Sequence, residues 1–175
     1  LERKTSKKHF QEIVNSLDEL EDTNIIFTKA NSDLDGKIIN QMIDKYTRKN
    51  SDKSIGVASL GQLNYLSALK HIDVIVGNSS SGISEAPSFK IATINIGDRQ
   101  NGRIKAESVV DCLSNKKDIK RAIKRVYSDE FKNLLKNVKN PYGNGYSSKK
   151  IIKVLKTIKL GNILKKFFFN IKYSL

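Results

Sequence analysis

The stretch from Asp73 to Arg103, DVIVGNSSSGISEAPSFKIATINIGDRQNGR, constrains this chain more than any other. DVIVG is a short apolar run of strand type ending in glycine. NSSSG is a polar turn of hydroxyls and backbone donors, ISEAPSF reads as a short helix, and IATINI is a second apolar strand. GDRQNGR closes the stretch as a glycine-punctuated loop carrying two arginines. Buried-type strands joined through a helix run parallel. An open α/β sheet presents a ligand crevice at the carboxyl ends of such strands, and a phosphorylated small molecule is the natural guest.

The rest of the chain continues the alternation. Phe10, Ile13, Val14, Leu17 and Leu20 fall on one helical stripe over residues 5–20, followed by the strand-like NIIFT (24–28) and the polar turn KANSDLDG (29–36). Ile38, Ile39, Met42, Ile43 and Tyr46 mark an amphipathic helix, and SIGVA (54–58) another strand. Ser59 with Gln62 has the spacing of a capping box, opening a helix through Leu63, Leu66 and Leu69. Beyond the basic loop come the strand ESVVDC (107–112) and a helix stripe of Ile119, Ala122, Ile123 and Val126. The turn cluster NPYGNGY (140–146) follows, then a stripe of Ile151, Ile152, Leu155 and Ile158 that Gly161-Asn162 is expected to break. ILKKFFFNIKY (163–173) reads as a basic, aromatic appendage. The strands are too apolar for one-sided burial, so the expectation is a Rossmann-like parallel sheet with helices on both faces.

With 175 residues, the chain fits one domain over 1–160 and a C-terminal extension over 161–175. It opens without methionine, directly in helix-like sequence, as a fragment or excised domain would. The net charge is +14, but residues 1–110 are close to balanced and the excess falls after them. Solvated lysine on helix faces is the plain reading of that excess. Contact of the basic tail with an anionic membrane surface is the alternative, and nucleic acid is set aside as a partner. Cys112 is the single cysteine; at the end of SVVDC it reads as a buried thiol, and no Cys/His cluster suggests a metal. No leader pattern and no apolar span of about 18 residues is present, which makes a reducing cytoplasm the default location.

Ser79, Ser80 and Ser81 offer hydroxyl donors without bulk, and Gly82 would let backbone approach an anion. A helix opening there would add free amides and its positive end, which together cradle phosphate; an ordinary serine N-cap is the competing view. Glu85 suits either the dipole of the first helical turn or bidentate acceptance of two ribose hydroxyls. Arg99 and Arg103 either pair with a pyrophosphate or lie solvated at the surface. Asn31 and Asp33 follow an earlier strand and either face the same crevice or form a plain Asx turn. His9 and His71 carry no evident chemistry. No Ser–His–Asp set, Walker loop or GxGxxG fingerprint occurs.

In GNSSSGISEAPSFK and TINIGDRQNGR the sequence resembles the hydrolysing UDP-N-acetylglucosamine 2-epimerases, which supply N-acetylmannosamine for sialic acid synthesis. The resemblance runs from about residue 1 to about residue 160. Non-hydrolysing relatives carry a DSGG-x-x-EEA version with a different following loop. Ala92, where the family usually has proline, is a departure that touches loop stiffness rather than chemistry. The resemblance implies the C-terminal domain of a glycosyltransferase-B-type fold, with UDP held mainly by this half. By position it implies Ser79 and Ser80 on the diphosphate, Glu85 on the ribose hydroxyls and Arg99 near the phosphates. Asn31 and Asp33 would line the cleft, and Leu60 would offer backbone groups to uracil. It implies elimination of UDP to a 2-acetamidoglucal, then hydration to N-acetylmannosamine, with no cofactor. The acid/base carboxylates, an arginine and a His-Pro segment belong to the N-terminal domain and the residues ahead of Leu1. No catalytic residue is therefore expected in this chain, which alone should bind UDP without turnover. UDP-N-acetylglucosamine or UDP, the N-terminal domain and a second copy in a homodimer are the implied partners. A nucleotide-sugar-binding module without chemistry, or the same half of an enzyme for a di-acetamido or GDP-linked sugar, remains the alternative.

Overall fold

The computed structural model of the chain describes residues 5–30 and 34–161. The chain divides into two compact units, Leu1–Gly143 and Asn144–Leu175. The first contains α1 (Ser6–Leu17), β1 (Ile25–Thr28), α2 (Leu34–Lys49), β2 (Ser54–Val57), α3 (Gly61–Ala68) and β3 (Val74–Gly77). It continues with α4 (Ser81–Ser84), a 3-10 turn (Ala86–Phe89), β4 (Ala92–Ile96), β5 (Val109–Cys112), α5 (Lys116–Val126) and α6 (Asp129–Asn137). The second unit holds α7 (Ser147–Thr157), whose Ile151, Ile152 and Leu155 are all exposed. The appendage at 163–173 lies outside the described residues.

All strand pairs are parallel. β1 pairs with β2, and β4 lies between β3 and β5. Every residue of β4 is buried, as expected of a central strand covered on both faces. Ile94, Ile96 and Val110 pack under Ile119, Ala122, Ile123 and Val126 of α5 and Phe131 of α6. A second cluster joins Val14 and Leu17 of α1 to Phe27 of β1 and to Ile43 and Tyr46 of α2. There Phe27 meets the edge of Tyr46 at 5.4 Å between ring centroids.

Helix α1 serves both clusters, because its Ile13 packs against each, as does Leu20 just beyond its end. Polar ties reinforce it. Glu12 accepts from the Lys116 amide at 2.9 Å, at the start of α5, and Glu19 pairs with Lys116 and Lys120. Hydrogen bonds to those two lysines hold the Glu19 carboxyl down to about 2, from an ordinary 4.5. A carboxyl lowered on folding stabilises above its unfolded value, so this tie is intact above about pH 4.5 and is lost as pH falls towards 2.

Several local expectations change. Two-sided covering does not extend to β1 and β2: Ile26 and Ile55, partners in register, are 47% and 53% exposed. The capping box at Ser59 does not form; its Oγ accepts from the Gly61 amide instead, and α3 starts after Leu60. Leu63 of that helix is exposed, while Leu69 just past its end is fully buried. α7 stops at Thr157, with Ile158 already extended, ahead of the Gly161-Asn162 break. α6 is a further helix that the apolar stripes do not mark: Ser128 caps it through the Phe131 amide, and Asp129 and Glu130 fill its first turn.

One contact sets the height of α4 above the sheet. Gly82 is buried, and a Cβ there would stand 2.5 Å from Thr93 Cγ2 of β4. The Thr93 hydroxyl donates to the Gly82 carbonyl at 2.9 Å. The missing side chain thus serves helix-on-strand packing. Gly82→Ala should cost about 1–3 kcal/mol by overpacking, read as a lowered urea midpoint. In a Thr93→Ser background, which keeps the hydroxyl and removes the methyl, most of that loss should return. Equal losses in both backgrounds would refute the contact.

Candidate functional site

Because β3 and β4 pair in parallel, their carboxyl ends share one edge of their sheet. At β3 the chain leaves through Gly77 into Asn78, Ser79, Ser80 and Ser81. Ser79 and Ser80 are exposed and Ser81 is half-buried. The amides of Gly82 and Ile83 are used internally, on the Ser79 and Ser80 carbonyls, and Ser84 and Glu85 bond back to Ser80 and Ser81. Among the described residues the amides of Ser79 and Ser80 have no acceptor. α4 is a single turn of four residues, too short to sum a sizeable macrodipole. The expected helix-end field is therefore small, and the donors left facing outward are two neighbouring amides and the serine hydroxyls.

Those hydroxyls are connected. Tyr65 of α3 donates its phenolic hydrogen to Ser81 Oγ at 2.7 Å, and Ser81 Oγ lies 3.1 Å from Ser79 Oγ. Burial pushes the Tyr65 phenol up; the Ser81 hydrogen bond opposes this, and the charge of Glu85 adds to it. Glu85 follows the single turn of α4 and precedes the 3-10 turn. It is thus half-buried at the junction, not in the first turn of a helix whose dipole it could offset. Asn140 braces that junction from both sides, donating to the Ser84 carbonyl at 2.8 Å and to Ser88 Oγ at 2.7 Å.

The basic loop is tied down at both ends. Gln100 is buried at 3% exposure, and its Nε2 donates to the Asn78 carbonyl at 2.7 Å. Glycines 97 and 102, with φ of 80° and 76°, make the bends that bring it there. Beyond Arg103, Lys105 grips both oxygens of Asp111 at 2.8 Å, and buried Asn95 donates to the same carboxylate at 2.6 Å. Tyr142 donates to the Ile104 carbonyl. Just ahead of Gln100, Arg99 is exposed beside the serine turn, reaching Asn78 Oδ1 at 3.5 Å. Arg103 is also exposed, and its amide bonds to Gln100. Leu60, half-buried, stands where β2 gives way to α3. Asn31 and Asp33 lie outside the described residues.

The structure thus joins Ser79, Ser80, Ser81 and Arg99 in one exposed notch, with Glu85 behind it. Sequence reasoning missed Tyr65, Asn140 and the clamping role of Gln100. A polar glutamine between an arginine and a glycine turn gave a signal; a tyrosine on a helix gave none. A concavity of about 520 Å³ opens elsewhere, lined by Leu69, Val74, Phe89, Val126 and Leu135, and none of the candidate residues borders it. Among the described residues no cluster of His, Cys, Asp and Glu could hold a metal ion, and no helix is long and apolar enough to cross a membrane.

Residues 1–156 match the family model described as UDP-N-acetylglucosamine 2-epimerase. The chain is 44% identical over 169 residues to a GDP/UDP-N,N'-diacetylbacillosamine 2-epimerase (hydrolyzing) of Campylobacter jejuni, covering 96% of this chain and 44% of that protein. It is 37% identical over 110 residues to a UDP-N-acetylglucosamine 2-epimerase of Neisseria meningitidis, covering 63% of this chain and 28% of the relative. The chain therefore spans less than half the length of these curated relatives. Its fold matches a UDP-GlcNAc 2-epimerase of Methanocaldococcus jannaschii crystallised with UDP-GlcNAc and UDP. That match has a TM-score of 0.67 and 22% identity, over 86% of this chain and 41% of that one. These solved neighbours identify the architecture as that of glycosyltransferase-B-type proteins.

Cys112, at the end of β5, is half-buried and free. Burial first, then the carboxylates of Asp118 and Asp111, push its thiol up to about 11. It is protonated at neutral pH and is no nucleophile. Iodoacetamide at pH 8 should modify it roughly 100-fold more slowly than an unperturbed thiol, from the thiolate fraction alone. A thiol raised on folding stabilises below its unfolded value, and that contribution should fade as pH rises through 11. Reaction at the free-thiol rate would contradict this placement.

Proposed function

This chain belongs to the UDP-N-acetylglucosamine 2-epimerase family, and from that premise we propose that it forms the UDP-holding, C-terminal half of a hydrolysing 2-epimerase. Its substrate is a UDP-linked 2-acetamido sugar, which loses UDP to leave a glycal that water converts to the free 2-epimer. The observation that carries the reading is the notch at the end of β3. Two amides without acceptors, at Ser79 and Ser80, stand with exposed hydroxyls and the Arg99 guanidinium. Departure of a diphosphate requires its charge to be stabilised as the C–O bond breaks, and donors already in place do this without reorganising.

In this reading Glu85 accepts the ribose hydroxyls, Leu60 offers backbone groups to uracil, and Arg103 adds positive charge along the loop. The base that removes the C2 proton belongs to the remainder of the longer protein. The name of the 44%-identical Campylobacter relative supports a di-acetamido sugar. That of the Neisseria relative supports N-acetylglucosamine. The former similarity spans nearly the whole chain and makes the di-acetamido sugar the first substrate to try.

The test is product analysis with the full-length enzyme in deuterated water. Expected are free UDP and a free 2-epimeric sugar deuterated at C2. A product still joined to UDP would make the enzyme non-hydrolysing, and no UDP release from either sugar nucleotide would overturn the reading. The chain alone should bind UDP calorimetrically without turnover. Ser79→Ala should weaken that binding about tenfold, the scale of one hydrogen bond to a charged group.

A further inference from the structure

The geometry points to Tyr65 as a positioning residue of the serine notch. Its phenol sets the direction of a three-hydroxyl chain, so that Ser79 faces outward as a donor only. The inference rests on the nucleotide reading above and assigns a residue that sequence motifs did not mark.

The direction follows from counting hydrogens. Tyr65 has one, and it goes to Ser81 Oγ at 2.7 Å. A phenol is a stronger acid than an alcohol, which favours donation in that sense. Burial raises the phenol further, so it stays protonated and keeps its hydrogen to give. The 3.1 Å contact between Ser81 Oγ and Ser79 Oγ allows either sense; in this relay Ser81, already accepting from the phenol, gives its hydrogen to Ser79. Ser79 Oγ also receives the Ser81 amide at 3.4 Å. Both acceptor positions of the Ser79 hydroxyl are then filled, and its hydrogen has only the exposed side to point to.

A hydroxyl that can only donate selects acceptor-only groups such as phosphate oxygens, and it stands next to the unpaired Ser79 and Ser80 amides. The phenol is held from behind, because the Tyr65 ring packs against the cluster of Leu69, Ala86 and Ile91. Without it the chain can reverse: Ser79 gives its hydrogen inward to Ser81 and presents a lone pair to the ligand.

The experiment titrates wild type, Tyr65→Phe, Ser79→Ala and the double variant with UDP, inorganic pyrophosphate and uridine. Calorimetry reads the first two ligands and chemical-shift titration the third. Tyr65→Phe should weaken UDP and pyrophosphate about tenfold and leave uridine unchanged. In the Ser79→Ala background it should add no further loss. Ser81→Ala breaks the same chain without touching the ring and should reproduce the effect if the tyrosine variant folds poorly. Equal losses for UDP and uridine, additive losses in the double variant, or unchanged UDP binding would overturn the relay while the nucleotide reading stands. A folded wild type that binds neither UDP nor pyrophosphate would overturn both.

Discussion

A single buried contact, Thr93 against Gly82, determines where everything else at the rim can be. Thr93 is the second residue of β4, the strand buried along its whole length, and is itself 2% exposed. Its hydroxyl donates to the Gly82 carbonyl, and its methyl occupies the space where any side chain on residue 82 would go. A hydrogen bond in so dry a place is electrostatically strong, and breaking it strands two polar groups. The turn after β3 is therefore held against β4, and Ser79 and Ser80 just before it are left exposed. The notch is built on a packing contact more than on a helix end.

Around that fixed turn the partners differ in how tightly they are held. Gln100 is buried and bonded to Asn78, Asn140 grips both sides of Glu85, and the far end of the loop is closed by Lys105, Asp111 and Asn95. Arg99 has only a long contact to Asn78 and remains exposed. Such a division suits a charge that changes position during a reaction: dipoles that must already be aimed are rigid, while one long cation can follow the departing group.

The alternation of strand and helix was readable because each short apolar run is bounded by glycine, serine or asparagine, and parallel pairing follows from the helices between them. The serine turn and the basic loop were readable for the same reason, since their residues are out of place in any core. What the sequence did not reveal depends on distances between segments. Tyr65 lies sixteen residues from its partner Ser81 on a helix with little burial of its own. The packing demand on Gly82 was hidden because its neighbour, Thr93, belongs to another strand. Leu63 fitted a helical stripe yet faces out, since periodicity marks a face without saying whether anything covers it.

The β1–β2 pair has a further consequence. Among the described residues β1 hydrogen-bonds to no strand but β2, and β3 to none but β4. Ile26 and Ile55 stand side by side on a bare face. Extended apolar backbone with one row of amides and carbonyls unmet is a template for any similar strand that drifts alongside. The β1–β2 pair is therefore the part of this polypeptide best suited to accept a further strand or a covering surface.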